Sequence, residues 1–137
     1  MSDQPTSVIT NALEPDPSKV TLTHVIYGLH SLSIVIGLLT SATVIGSFLG
    51  GIPSIVAVIL NYINRASVRG TYLDSHFGWQ IRTFWFALLW VLISVMLIIT
   101  IIGIVFAVPA LIVVCVWIIY RVARGWLRLN GKEPMPI

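Results

Sequence analysis

From Phe84 to Tyr120 the chain carries no charged residue. A single helix of that length would be ~55 Å long, against a hydrocarbon core of ~30 Å. The run must therefore turn inside its own apolar stretch. Gly103 and Pro109 flank the place where the turn is expected, which leaves one crossing from Thr83 to Ile102 and another from about Val105 to Tyr120. A second apolar region, His24 to about Ile63, is likewise too long for one crossing and fits two. Composition agrees, with 57% hydrophobic and 9% charged residues, where a soluble domain carries about 25% charged. The expected fold is all-α: a polytopic membrane protein with four transmembrane helices in a compact bundle, the second helix short.

The first helix is expected from Thr23 to Thr43. Tyr27, His30, Ser33, Gly37 and Thr40 recur along it at three- and four-residue spacing. Such a polar and small stripe should face other helices, because lipid offers polar groups no partner. Ala42, Gly46, Gly50 and Ser54 are four apart, and Gly46 with Gly50 makes a GxxxG. That pattern admits two readings, a ridge for close helix packing or a loop of small residues. Gly50, Gly51 and Pro53 together break helices, so the expected arrangement is a turn around Ser47 to Ile52 and a short helix from Pro53 to Asn64. Pro53 would then sit in the first turn, where a missing N–H costs nothing. Ser54, Ala57, Asn61 and Asn64 would share one face.

Residues 1–22 hold Pro5, Pro15 and Pro17 without sustained periodicity and read as a disordered cytoplasmic tail. No basic start followed by an apolar core suggests a cleaved signal. Residues 23–129 form the transmembrane domain on this reading, and 130–137 a second cytoplasmic tail.

Charge placement orients the chain. Four crossings put both ends and the loop between the second and third helices on one side. All eight basic residues fall there: Lys19, Arg65, Arg69, Arg82, Arg121, Arg124, Arg128 and Lys132. The positive-inside pattern makes that side cytoplasmic. Arg121, Arg124 and Arg128 are three and four apart, giving the last helix a basic face for anionic headgroups at the membrane surface. Nothing interleaves them as a nucleic-acid groove, so no nucleic-acid partner is expected. Trp117, Tyr120 and Trp126 supply aromatic anchors at the same end.

The longest polar interruption is Thr71 to Trp85. Thr71 and Asp74 fit a capping box, and Asp74 suits the positive end of a helix dipole. His76, Gln80 and Thr83 then share one face, with Phe77, Trp79, Phe84 and Trp85 around it. Asp74, His76 and Arg82 form an interfacial motif, Arg82 marking the depth of water. His30, Asn61, Gln80 and Thr83 lie on the polar stripes of their helices, which antiparallel packing would bring together as a polar cluster. An ionisable His30 inside a span is a candidate functional group. The alternative is a neutral His bonded to Asn61, Tyr27 or a water as helix glue. His76 reads as an interfacial helix-start residue; its i+4 neighbour, Gln80, is a poor metal ligand. Cys115 has apolar neighbours and reads as an inert packing residue. No nucleophile elbow, HExxH, phosphate loop or carboxylate pair is present. No catalytic residues, metal or cofactor are expected, and the chain does not read as an enzyme.

The stretches IPSIVAVILNYINR and SHFGWQIRTFWFALLW resemble a family of small bacterial membrane proteins of unknown function, related to the Tic-twenty component of the chloroplast inner-envelope import machinery. That family shows a Pro-containing short helix ending in a basic pair, then an acidic residue, a His and a Gln at the next helix start. Here those are Pro53, Arg65, Asp74, His76 and Gln80, and the likeness covers about His24 to Leu129. The chain departs from the pattern at Gly78, where a larger residue is expected. The resemblance implies a four-helix domain in the bacterial inner membrane and brings no established activity. A structural or interaction module, homo-oligomeric or joined to another membrane protein, is the first expectation. A transport or translocation component, as the Tic likeness suggests, is the second.

Overall fold

The computed structural model describes residues 14–40, 44–100 and 102–136, with the backbone alone for 44–49. Four helices follow one another: α1 Pro17–Thr40, α2 Val44–Asn64, α3 Tyr72–Ile99 and α4 Gly103–Asn130. A 3-10 turn, Arg65–Val68, links α2 to α3, and no strand occurs among the described residues. Among the described residues, four helices are long and apolar enough to cross a membrane.

α1 starts earlier than the sequence pattern suggests. The Asp16 carboxylate accepts the Ser18 N–H at 2.8 Å, and Pro17 occupies the first helical position. That is an N-cap followed by a residue whose missing N–H is no loss. The Ser18 bond holds the Asp16 carboxyl below its ordinary pKa. Residues 17–22 are therefore helical rather than part of a tail; residues 1–13 lie outside the described residues.

α2 departs further from expectation. It begins at Val44, so Ser47 to Ile52 is helix and not a turn, and Pro53 lies inside the helix. α1 is described to Thr40, and residues 41–43 lie outside the described residues. Two contacts explain why Gly-Gly-Ile-Pro does not end the helix here. A Cβ on Gly50 would lie 2.9 Å from Cα of Gly37, so the glycine lets α1 and α2 meet backbone to backbone. The Ser33 hydroxyl donates to the Gly50 carbonyl, three residues ahead of Pro53, and ties this stretch of α2 to α1. Packing against a neighbouring helix lets a membrane helix continue through such residues. At 21 residues α2 is still the shortest of the four.

α3 joins the interfacial segment and the span in one helix. The Thr71 hydroxyl accepts the Leu73 N–H at 3.3 Å, but the Thr71 N–H goes to the Val68 carbonyl at 3.2 Å. Asp74 therefore does not close the second half of the capping box. At the far end, Thr100 N–H reaches the Leu97 carbonyl at 3.0 Å and Gly103 N–H reaches the Thr100 carbonyl at 2.9 Å. This reversal starts α4 at Gly103, and Pro109 is carried inside it.

α3 and α4 have 28 residues each, about 42 Å against a ~30 Å hydrocarbon core. Counted back from the apolar turn, roughly 20 residues of each helix fill that core. This places its boundary near Gln80 on α3 and near Ala123 on α4. The buried apolar core lies around and beyond that level. It comprises Ile26, Tyr27, Ala57, Val68, Leu73, Phe77, Val122 and Leu129, all toward the basic end. Nearer the turn, Met96, Ile99, Ile102, Val105 and Phe106 are exposed, a surface suited to lipid and not to water.

The segment after Asn130 is not a loose tail. Lys132 N–H bonds the Leu129 carbonyl and Glu133 N–H the Arg128 carbonyl, both at 3.0 Å, with Lys132 at φ 55°. This is a Schellman cap with lysine in the left-handed position. It turns the chain back onto α3, where Met135 N–H bonds the Ser75 hydroxyl at 2.8 Å and the Met135 side chain is buried.

Candidate functional site

Four helices bring their polar side chains to the boundary level derived above. Tyr27 comes from α1, where it is fully buried because Gly125 on α4 leaves room for its ring. Its hydroxyl lies 2.9 Å from His76 Nδ1. His76 Nε2 lies 2.8 Å from the Glu133 carbonyl, which can only accept. Nε2 therefore carries the proton in the neutral ring, and the Tyr27 hydroxyl donates to Nδ1; this tautomer follows from the bonding pattern. His76 stands near the start of α3, but it does not face water. It is wholly buried and ties α1, α3 and the C-terminal strap together. Beside it, Trp126 Nε1 donates to His24 Nδ1 at 3.1 Å, and the Trp126 ring stacks on Tyr27.

One turn further along α3, Trp79 Nε1 donates to the Arg121 carbonyl at 3.1 Å. The Arg121 guanidinium lies 3.6 Å from the Trp79 ring centroid and 5.0 Å from that of Trp117. Its Nε donates to the Thr83 hydroxyl at 2.7 Å, and that hydroxyl donates to the Trp79 carbonyl at the same distance. Cation–π contacts thus take the place of a carboxylate partner. The basic face of α4 divides its work. Arg121 turns onto α3, Arg124 Nη1 donates to the Tyr120 hydroxyl at 2.7 Å, and Arg128 Nη1 donates to the Pro134 carbonyl at 3.0 Å.

A cavity of about 10 Å³ lies between these groups, lined by Tyr27, His30, Trp79, Gln80, Thr83 and Arg121 along with Val122. It has room for about one water. His30 Nδ1 is paired with the Ser54 hydroxyl at 3.0 Å. His30 Nε2 and both side-chain polar atoms of Gln80 are buried without a hydrogen bond. The structure thus brings His30, Gln80 and Thr83 to one cavity. Asn61 is completely buried with both amide atoms unpaired, but it does not line that cavity. Neither Asp74 nor Arg82 lines the cavity, and Arg82 is exposed on α3.

Sequence reasoning missed two features. The inward turn of Arg121 onto Trp79 cannot be read from three- and four-residue spacing, which gives a shared face and not the neighbour it meets. The strap carries a weak signal, Asn-Gly-Lys after a long helix, but glycine marks the position before the left-handed one. Chemically, His76 has both nitrogens engaged, and His30 has one ring nitrogen facing its surroundings unpaired. Among the described residues no three His, Cys, Asp or Glu are placed to hold a metal ion. No known family, no curated protein and no solved structure matches the chain.

Proposed function

We propose that this chain is a structural or interaction module of a membrane, an accessory subunit that assembles with itself or with another membrane protein. The observation that carries the reading is where the polar groups stop. Beyond Thr83, α3 and its cap bear hydroxyls only at Ser94 and Thr100, each donating to a carbonyl of its own segment, at 2.9 and 2.7 Å. α4 bears no hydroxyl, amide or charged side chain from Gly103 to Ile119. A transport path would need polar lining through both leaflets. On α3 and α4 the polar groups lock helices together at one end, and the rest of both helices offers apolar surface to lipid or to other helices. On this reading the basic end faces the cytoplasm of a bacterial inner membrane, touches anionic headgroups, and binds no nucleic acid. The chain acts without catalysis and without a cofactor.

The second reading, a component of a transport or protein-translocation assembly, draws on the Tic likeness at Pro53, Arg65, Asp74, His76 and Gln80. The exposed α3–α4 hairpin would suit docking within such an assembly. Reconstitution of the purified protein in planar bilayers separates the two. The module reading expects a defined oligomer in mild detergent and no conductance; reproducible unitary currents from the protein alone would overturn it.

A further inference from the structure

We propose that Arg82, Arg121 and Arg124 form a binding site for the phosphate group of an anionic lipid. The site goes beyond the module reading and does not depend on it. Arg121 is its anchor. Trp79, Trp117 and Thr83 hold the guanidinium from its face and through Nε. Its two terminal nitrogens make no hydrogen bond among the described residues and are not buried. That leaves the two-pronged edge of a fixed planar fork free, the geometry that matches two phosphate oxygens.

The charges around it point the same way. Arg82 stands on α3 next to Thr83, the residue that Arg121 Nε bonds, and Arg124 follows Arg121 by one turn of α4. Arg124 is held in place by the Tyr120 hydroxyl, and Arg82 projects from α3 one turn beyond Trp79. Three like charges at the edge of a low-dielectric layer are unfavourable without an anion. Depth supplies the anion. The hydrocarbon boundary falls near Gln80 and Ala123, so the three guanidinium groups stand at or just below the level of lipid phosphates. Trp79, Trp117 and Tyr120 surround them as interfacial aromatics do. A zwitterionic lipid would bring its own cation into a cluster with nothing negative to receive it, which favours a phosphodiester of net negative charge.

The test is thermal unfolding of the full chain in a neutral detergent, with added phosphatidylglycerol, phosphatidylcholine or inorganic phosphate. Phosphatidylglycerol should raise the melting temperature of the wild type, and the other two should not. Arg82→Gln with Arg124→Gln, which leaves Arg121 and its packing intact, should lose most of that rise. Arg121→Lys should lose it as well, because the charge remains but the fork does not. Lys132→Gln, a basic residue outside the layer, should keep it. An equal rise with phosphatidylcholine, or a rise unchanged in the Arg82/Arg124 double variant, would overturn the proposal. A rise with inorganic phosphate alone would make this a site for free phosphate and overturn the lipid assignment.

Discussion

The Tyr27 hydroxyl on α1 lies 2.9 Å from Nδ1 of His76 on α3, and both residues are buried. Through the opposite ring nitrogen, His76 also holds the Glu133 carbonyl. One imidazole therefore links the first helix, the third helix and the C-terminal strap at the basic end of the bundle.

Tyr27→Phe should keep the ring packed against Gly125 and Trp126 while leaving His76 Nδ1 buried without a donor. An unsatisfied buried acceptor costs about 1–3 kcal/mol. Thermal unfolding in detergent should show a clear loss of stability. A variant as stable as wild type would mean that the bond adds nothing and that water can replace it.

The contact of α1 with α2 gives a paired comparison. A Cβ on Gly50 would meet Gly37 backbone at 2.9 Å, whereas one on Gly51 would meet nothing within 4 Å. Backbone cannot step aside as a flexible side chain does. Gly50→Ala should therefore destabilise by about 1–3 kcal/mol, while Gly51→Ala should be neutral or slightly favourable, alanine being the better helix former. Equal effects in the same unfolding measurement would contradict the close α1–α2 approach.

That pair also shows how much of the fold was legible. Four apolar helices, their basic end and the presence of a turn near Gly103 follow from where charge is absent; the turn itself comes earlier than expected, between Ile99 and Gly103, with Pro109 carried inside the next helix. The true extent of α2 does not follow from that pattern. Gly50, Gly51 and Pro53 punctuate a chain in water, but in a membrane a helix packed alongside can hold such a segment helical, here by the Gly50–Gly37 approach and the Ser33 bond to Gly50. In the site, helix periodicity was enough to group His30, Gln80 and Thr83. It could not separate Asn61 from them, because a shared stripe does not fix the depth and rotation at which helices meet. The burial of His76 was not legible for a different reason: it depends on the strap, and nothing local in SHFGWQ announces a segment 57 positions away.

His30 lines the same cavity as Arg121. His30→Lys would add a second fixed positive charge beside an arginine that has no carboxylate partner, and should be strongly destabilising. His30→Asn or His30→Gln should keep the fold, with a loss of about 1 kcal/mol, in the range of membrane hydrogen bonds. A cellular phenotype lost in these folded variants would mark His30 as functional rather than structural. A His30→Lys protein as stable as wild type would contradict the buried cluster.

Cys115 lies half-buried on α4 between Val114 and Val116, within the uncharged stretch of the helix. Membrane-impermeant thiol reagents should leave it unmodified in intact membranes, while the same reagents should label it after denaturation. Rapid labelling in intact membranes would mean that α4 lines water, and would favour the transport reading.

The central claim is that the apolar α3–α4 hairpin is presented to other membrane helices. The most direct measurement is photo-crosslinking in the native membrane from benzophenone side chains placed at Met96, Val105 and Phe106, all exposed on that hairpin. The account predicts a protein adduct of one discrete size from at least one of these positions, either with a second copy of this 15.1 kDa chain or with one other membrane protein. Lipid adducts alone from all three positions would contradict it.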